Sequence, residues 1–197
     1  LNQIYTKIDI TRGEILDRNG EVLASSIKTK DLYLNSKNIL EKEKLFSKLK
    51  EMFPNKVHLL KLNKQNKYFL LKKHLSLNEI NELKKIGDPG IVFQTSEKRI
   101  YPQHNIFSHL TGFKIDKLKS KLENNFDSTL SIGKDLRLTV DLKVQNIVRD
   151  ELIKGLELYN AKSALSIVMN VKNGEILSMV SLPDFDPNFP KTIKAFT

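Results

Sequence analysis

The 197-residue sequence has no cysteine, no tryptophan and only three methionines. Without cysteine there is no disulfide framework, no thiolate metal site and no cysteine nucleophile, so oxidising surroundings are tolerated. No apolar run approaches the ~18 residues of a membrane-spanning helix. The chain opens on "LNQIYTKIDITRG", without the charged start and apolar stretch of a signal peptide, and a natural N-terminus is expected upstream. Arginine is scarce as well: 28 of the 33 basic residues are lysine and five are arginine. The net charge of +10 and pI near 9.6 invite a nucleic-acid reading, but groove and phosphate recognition favours the forked guanidinium. The five tyrosines and ten phenylalanines form no base-stacking cluster either. The lysines therefore read as a solvated surface with no nucleic-acid partner, and attraction to an acidic envelope or lipid surface stays open. A hydrophobic content of 40% is enough for one ordinary core or two small ones.

Periodicity predicts an α+β fold. "DITRGEIL" and "EVLASSI" read as strands joined by Asp17-Arg18-Asn19-Gly20, and "KDLYLN" as another strand. "NILEKEKLFSKLKEMF" has helical spacing and stops at Pro54. "KYFLLKKHL" reads as a strand, and "SLNEINELKKIG" as a helix with a Ser76/Glu79 capping box and Gly87 at its C-terminus. "GIVFQTSEKRIYP" is extended, "NIFSHLTGF" a short helix closed by Gly112, and "DKLKSKLENNFDSTL" a further helical stretch. After "SIGKD" the pattern predicts a strand "LRLTVD" and an N-cap at Asp141. A long amphipathic helix follows, with Val144, Ile147, Val148, Leu152, Ile153, Leu156 and Leu158 on its apolar face. A hairpin through Lys172-Asn173-Gly174 comes last. This change of texture puts a boundary near residue 133, with 133–197 too small to fold convincingly alone.

The segment Asn19-Gly20-Glu21 is echoed at Asn173-Gly174-Glu175. No similarity extends around the two, so both read as Asn-Gly hairpin turns of type I′, with positive φ at both central residues, rather than as a duplication. Neither is followed by a helix, and no G-x-x-x-x-G-K-[ST] exists, which excludes a phosphate loop.

Five segments in order resemble the N-terminal half of the class B penicillin-binding proteins, the monofunctional peptidoglycan transpeptidases. "RGEILDRNGEVLA", with Arg12, Gly13, Asp17, Arg18, Asn19 and Gly20, is similar to the first motif of their pedestal. "KRIYPQHNIFSHLTGF", with Arg99, Tyr101, Pro102, His109 and Gly112, is similar to the second. "KLENNFDSTL", with Glu123 and Asp127, is similar to the third, although Lys119 and Lys121 stand where glycine is expected. "LTVDLKVQ", with Thr139, Asp141 and Gln145, resembles the start of the transpeptidase domain. So does "VKNGEILSMVSLPDFDPN", with Asn173, Gly174, Pro187 and Asn188.

The resemblance implies an irregular α+β pedestal, or dimerisation domain, over 1–132 and a partial α/β transpeptidase segment over 133–197. It implies a membrane anchor ahead of a periplasmic or extracellular region, no cofactor and no metal. Its implied partners are its own transpeptidase domain, other cell-wall synthesis or divisome membrane proteins, and a second copy. "GIVFQTSEKRIYP" and the abbreviated passage between domains are closer to the septal than to the elongation subtype.

The family's nucleophile is the serine of an S-x-x-K motif beyond the D-P-N loop, followed by S-x-N and K-[ST]-G, so this chain itself is expected to be non-catalytic. S-x-x-K does occur at Ser25/Lys28, Ser47/Lys50 and Ser131/Lys134. Chance alone gives roughly two such matches in this serine- and lysine-rich chain, and none opens a helix after the loop. His104 and His109 lack the spacing of a zinc motif. Arg12 and Arg18 flank the first turn, and Glu123 and Asp127 lie four apart on one expected helical face, so these four are expected to clamp the hairpin. The rival readings are a free-standing envelope-binding module and a basic nucleic-acid-binding protein.

Overall fold

In the computed structural model, which describes residues 10–56, 58, 68–115 and 117–189, strands and helices mix without a βαβ repeat, as the α+β reading expects. The chain divides into two compact units, Leu1–Ile27 with Arg99–Thr197, and Lys28–Lys98.

The inserted unit, Lys28–Lys98, contains most of strand β2 (Val22–Asn35), helix α1 (Lys42–Met52), β3 (Tyr68–Lys72), helix α2 (Leu77–Ile86) and most of β4 (Ile91–Ile100). The two expected strands "EVLASSI" and "KDLYLN" are one continuous β2, which pairs antiparallel with β3 and also pairs with β4. Leu32 and Leu34 alternate onto one face of β2 and meet Leu71 of β3. Leu45 and Leu49 of α1 and Ile80 and Leu83 of α2 close the core at helical spacing. Helix α2 has the expected capping box between Ser76 and Glu79, and Gly87 ends it in the left-handed region at φ 67°.

In the other unit, β1 (Ile15–Leu16) pairs antiparallel with the start of β2 and parallel with β7 (Leu136–Arg137). Helix α3 (Ser108–Thr111) follows β4 and ends at Gly112. The expected helical stretch over 116–130 is instead a short ladder, β5 (Lys114–Ile115) with β6 (Leu118–Lys119), and two short helices, α4 (Leu122–Asn125) and α5 (Asp127–Ser131). Lys121 explains the break. It sits at φ 54°, ψ −131°, a conformation that cannot continue a helix. Helix α6 (Leu142–Leu158) has the expected Asp141 cap, and β8 (Ala164–Met169) with β9 (Ile176–Leu182) forms the last hairpin.

The apolar stripe of α6 is only partly covered. Ile147 and Leu158 are exposed and Gln145 is its one buried residue, because among the described residues the helix packs on a sheet of two strands. The outer face of β8 is also open, with Leu165 75% exposed and Ile167 and Met169 56% each. The core joins Ile15, Leu23 and Ala24 to Tyr101, Phe107, Leu130 and Val140, with Leu142 and Ile176 against it. Packing therefore runs continuously across residue 133.

Both turns differ from the expected type I′. Gly20 and Gly174 have φ of 92° and 74°, but neither Asn19 nor Asn173 has positive φ. The first turn starts at Asp17, whose carboxylate accepts from Asn19 N–H at 2.7 Å, and Gly20 donates back to Asp17 O. The second starts at Asn170, whose amide oxygen accepts from Lys172 N–H at 3.0 Å, and Gly174 donates to Asn170 O at 2.8 Å. In each an Asx residue opens the turn and a left-handed glycine bulge closes it, the second loop being one residue longer.

Candidate functional site

Glu123, at the start of α4, has a fully buried side chain and is the centre of a charge knot. Arg12, just before β1, donates from Nε and Nη2 to Oε2 at 2.9 and 2.7 Å, and from Nη2 to the Glu123 carbonyl at 2.8 Å. Its Nη1 donates to Asp127 at 2.6 Å, and Lys119 approaches the other Asp127 oxygen. From the end of β4, Arg99 Nε donates to Glu123 Oε1 at 2.7 Å, while its Nη1 reaches the Gly13 carbonyl at 2.7 Å. Tyr101 OH completes the knot at 3.1 Å from Oε1.

A carboxylate removed from water is tolerable only with such saturation by charged donors. Burial pushes the Tyr101 phenol far above its ordinary value, and the Glu123 carboxylate adds to this, so the hydroxyl stays a donor. Hydrogen bonds from Lys119 and then Arg12 hold Asp127 below the usual carboxylate range. Gly13 is required by close approach: a Cβ there would lie 2.2 Å from the Lys134 carbonyl.

Three of the four expected clamp residues thus converge. The fourth, Arg18, instead meets Glu175 at 3.3 Å, and so links the two Asn-Gly-Glu turns to each other. The first turn docks on the segment after β7 in other ways too. Buried Asp17 accepts from Leu142 N–H at 3.1 Å, Arg18 N–H donates to Val140 O, and the Asn19 amide donates to Asp141 at 3.0 Å. That amide is the main cause of a lowered Asp141 pKa. Thr139 Oγ1 donates to Ile176 O at 2.8 Å. Gln145 is wholly buried and fully satisfied: its amide nitrogen donates to Ile106 O and Met179 O, and its oxygen accepts from Ser178 Oγ and Met179 N–H.

The D-P-N loop is clasped by the segment 101–109. Asn188 pairs with Tyr101 as a strand would, accepting from its N–H and donating to its carbonyl, both at 3.0 Å. His104 meets Asp186 at 2.9 Å, Asn105 donates to Asp184 at 3.0 Å, and Arg149 donates to the other Asp184 oxygen at 2.7 Å. His109 Nε2 lies 3.0 Å from the Pro183 carbonyl, with its ring edge-on to Phe185. Asp186 is partly buried, which raises its pKa, but His104 and Asn188 outweigh this and the net shift is downward. Pro187 is buried within the loop and Pro102 is exposed. Gly112 is held against the β6–α4 corner, where a Cβ would lie 2.4 Å from Ser120 O.

Lys119, His104, Arg149, Asp184 and Glu175 join these networks without having been singled out as motif residues; Lys119 stood out only as a missing glycine. Their partners lie 8 to 157 residues away in the chain, so no local pattern points to most of them. The three S-x-x-K serines are scattered: Ser25 in β2 bonded to Glu14, Ser47 exposed on α1, and Ser131 at the end of α5. A cleft of about 600 Å³ between α1 and α2 is lined by alternating acids and lysines with Leu40, Met52 and Ile86, and has no nucleophile–base pair. The arrangement as a whole is suited to fixing chain segments against each other.

The family model described as penicillin-binding protein dimerisation domain matches residues 7–136. Among curated proteins, the chain is 31% identical to the probable peptidoglycan D,D-transpeptidase PenA of Neisseria gonorrhoeae, over 91% of this chain and 37% of that one. It is 31% identical to the probable peptidoglycan D,D-transpeptidase FtsI of Caulobacter vibrioides, over 92% and 32%. The chain spans about a third of the length of these relatives. The fold is similar to that of penicillin-binding protein PBP2 from Helicobacter pylori in its complex with MreC. The TM-score is 0.67 at 23% identity, over 92% of this chain and 43% of that one.

Proposed function

The chain belongs to the class B penicillin-binding proteins and carries their dimerisation domain, and from that premise we propose that it is the non-catalytic N-terminal region of a serine-type D,D-transpeptidase. Residues 1–132 are the pedestal and 133–197 begin the transpeptidase domain. The pedestal is a structural base and an interaction module for cell-wall synthesis proteins, in a septal rather than an elongation enzyme. The region lies outside the cytoplasmic membrane, held by an anchor that precedes it; among the described residues no helix is long and apolar enough to cross a membrane.

One observation carries this reading. Residues of the second pedestal motif hold the D-P-N exit loop directly, through Tyr101–Asn188 and His109–Pro183. A pedestal that fixes the exit of the first catalytic-domain hairpin sets where the following S-x-x-K helix begins. The uncovered apolar face of β8, Leu165, Ile167 and Met169, supports the same reading as a surface that further strands and helices of a larger domain would bury.

The test uses a labelled β-lactam. The chain 1–197 forms no covalent adduct, whereas the complete gene product is acylated at one serine beyond residue 188. Stoichiometric labelling of Ser25, Ser47 or Ser131 sinks the proposal. In the complete protein Asn188→Ala, which removes both bonds to Tyr101, slows acylation while leaving the fold intact.

A further inference from the structure

The positive charge is not shared between the two units. Lys28–Lys98 has sixteen lysines, no arginine and eight acidic residues in 71 positions, a net +8. The remaining 126 residues have seventeen basic and fifteen acidic ones, a net +2. Acidic residues are equally frequent in both, so the difference is a doubling of lysine in one unit. A chain-wide compositional bias does not produce that pattern.

Of the thirteen described lysines in this unit, eleven are exposed; Lys56 and Lys72 are half-buried. Six of the eight acids have partners within the unit, Asp88 through the N–H groups of Leu40 and Gly90. Glu41, Glu51 and Glu82 pair along their own helices with Lys44, Lys48 and Lys85, and Glu79 pairs with Lys72. Asp31 is buried and accepts from Ser96 Oγ and His74 N–H. The outward field is therefore that of the surplus lysines, Lys37, Lys42, Lys50, Lys84 and Lys98 among them, spread over β2–α1, α1, α2 and β4.

We propose that this inserted unit docks on a bilayer surface bearing anionic phospholipid headgroups. The charge complementarity is diffuse, and the chemistry selects among anionic partners. Protein interfaces deplete lysine and enrich arginine, and nucleic-acid readout favours the rigid guanidinium fork. Sixteen lysines without one arginine suit phosphates whose positions are not fixed, because flexible point charges follow a fluid array and each adds to the attraction. The docking is independent of the charge knot and the loop clasp, which lie in the other unit.

The test is flotation of the purified chain with phosphatidylcholine vesicles, with and without about 30 mol% phosphatidylglycerol, at about 0.1 M and 0.5 M salt. Binding is expected only to the anionic vesicles at the lower salt. Lys37, Lys50, Lys84 and Lys98, all changed to Gln, weaken it at least ~20-fold, since each lysine near the surface contributes substantially. The same change at Lys117, Lys134, Lys162 and Lys172 of the other unit alters it less than ~2-fold. Unchanged circular dichroism and melting establish that both variants are folded. Equal loss in the two variants, equal binding to neutral vesicles, or no binding overturns the proposal. Tighter binding to polyglutamate or duplex DNA than to anionic vesicles at the same salt also overturns it, in favour of an acidic protein or a nucleic acid.

Discussion

In the unit formed by residues 1–27 and 99–197, Glu123 is wholly buried and bonded to two guanidinium groups and a phenol, whereas in Lys28–Lys98 Glu82 and Lys85 pair with more than half of each side chain in water. The same chemistry has opposite consequences. Removing one partner of a buried ion pair leaves charges without compensation in a poorly solvated place. Removing one partner of an exposed pair returns the other to water. In the first unit the buried knot adds to the Ile15, Leu23, Phe107 and Leu130 core, while in the second an exposed pair such as Glu82–Lys85 adds little to the Leu32, Leu34, Leu45, Leu49 and Leu83 core.

The sharpest way to break this comparison is to change both glutamates. Glu123→Gln is expected to destabilise its unit by about 3–5 kcal/mol in urea unfolding, and Glu82→Gln to leave the melting temperature unchanged. A loss below about 1 kcal/mol at Glu123 would mean that the knot is no more than a surface pair.

The two turns sharpen the comparison within one unit. Valine at Gly20 or Gly174 forces a β-branched residue to φ of 92° or 74°, at a cost of about 1–2 kcal/mol. Because the core runs across residue 133, both substitutions are expected to depress one shared transition. Faster hydrogen exchange confined to residues after 133 in Gly174→Val would instead make that position a folding boundary.

Lys121 offers a gain. At φ 54° it occupies a conformation that glycine adopts without strain, and Lys121→Gly is expected to stabilise by about 1 kcal/mol, read as a higher melting temperature. No gain would mean that Lys121 makes compensating contacts in the α4 turn.

The smallest effect is with acid. Asp127, Asp141 and Asp186 all have folded pKa values below their ordinary ones. The stability they contribute is present above the unfolded value near pH 4 and is lost as pH falls through the folded values. Melting temperature should begin to fall below about pH 4, and Asp127→Asn should flatten that slope. A slope unchanged in the variant would remove Asp127 as a contributor.

Much of the local structure was legible because its causes are local. The Ser76/Glu79 box, the Gly87 terminus and the Asp141 cap each depend on residues within four positions. The turn types were not legible in the same way. Asn-Gly favours type I′ in isolation, but Asp17 and Asn170 offer side-chain acceptors to the N–H groups two residues on, and Asn19 and Asn173 stay out of the positive-φ region. The helix expected over 116–130 failed for a similar reason, since the apolar spacing carried no sign of the left-handed Lys121. Arg12, Glu123 and Asp127 could be grouped by charge and spacing, whereas nothing near Arg18 in sequence indicates Glu175.

The sequence by itself determined the family, through five ordered motifs, along with the helices and caps whose hydrogen bonds close within a few residues. Only the tertiary structure decided that Arg99 and Tyr101 join Arg12 on one buried carboxylate, that the second motif grips the D-P-N loop, and that the lysines gather in the inserted unit. Those outcomes depend on groups 22 to 111 residues apart and on which chain segments share a core. Burial, which makes a charge costly unless it is paired, exists only once the chain has folded.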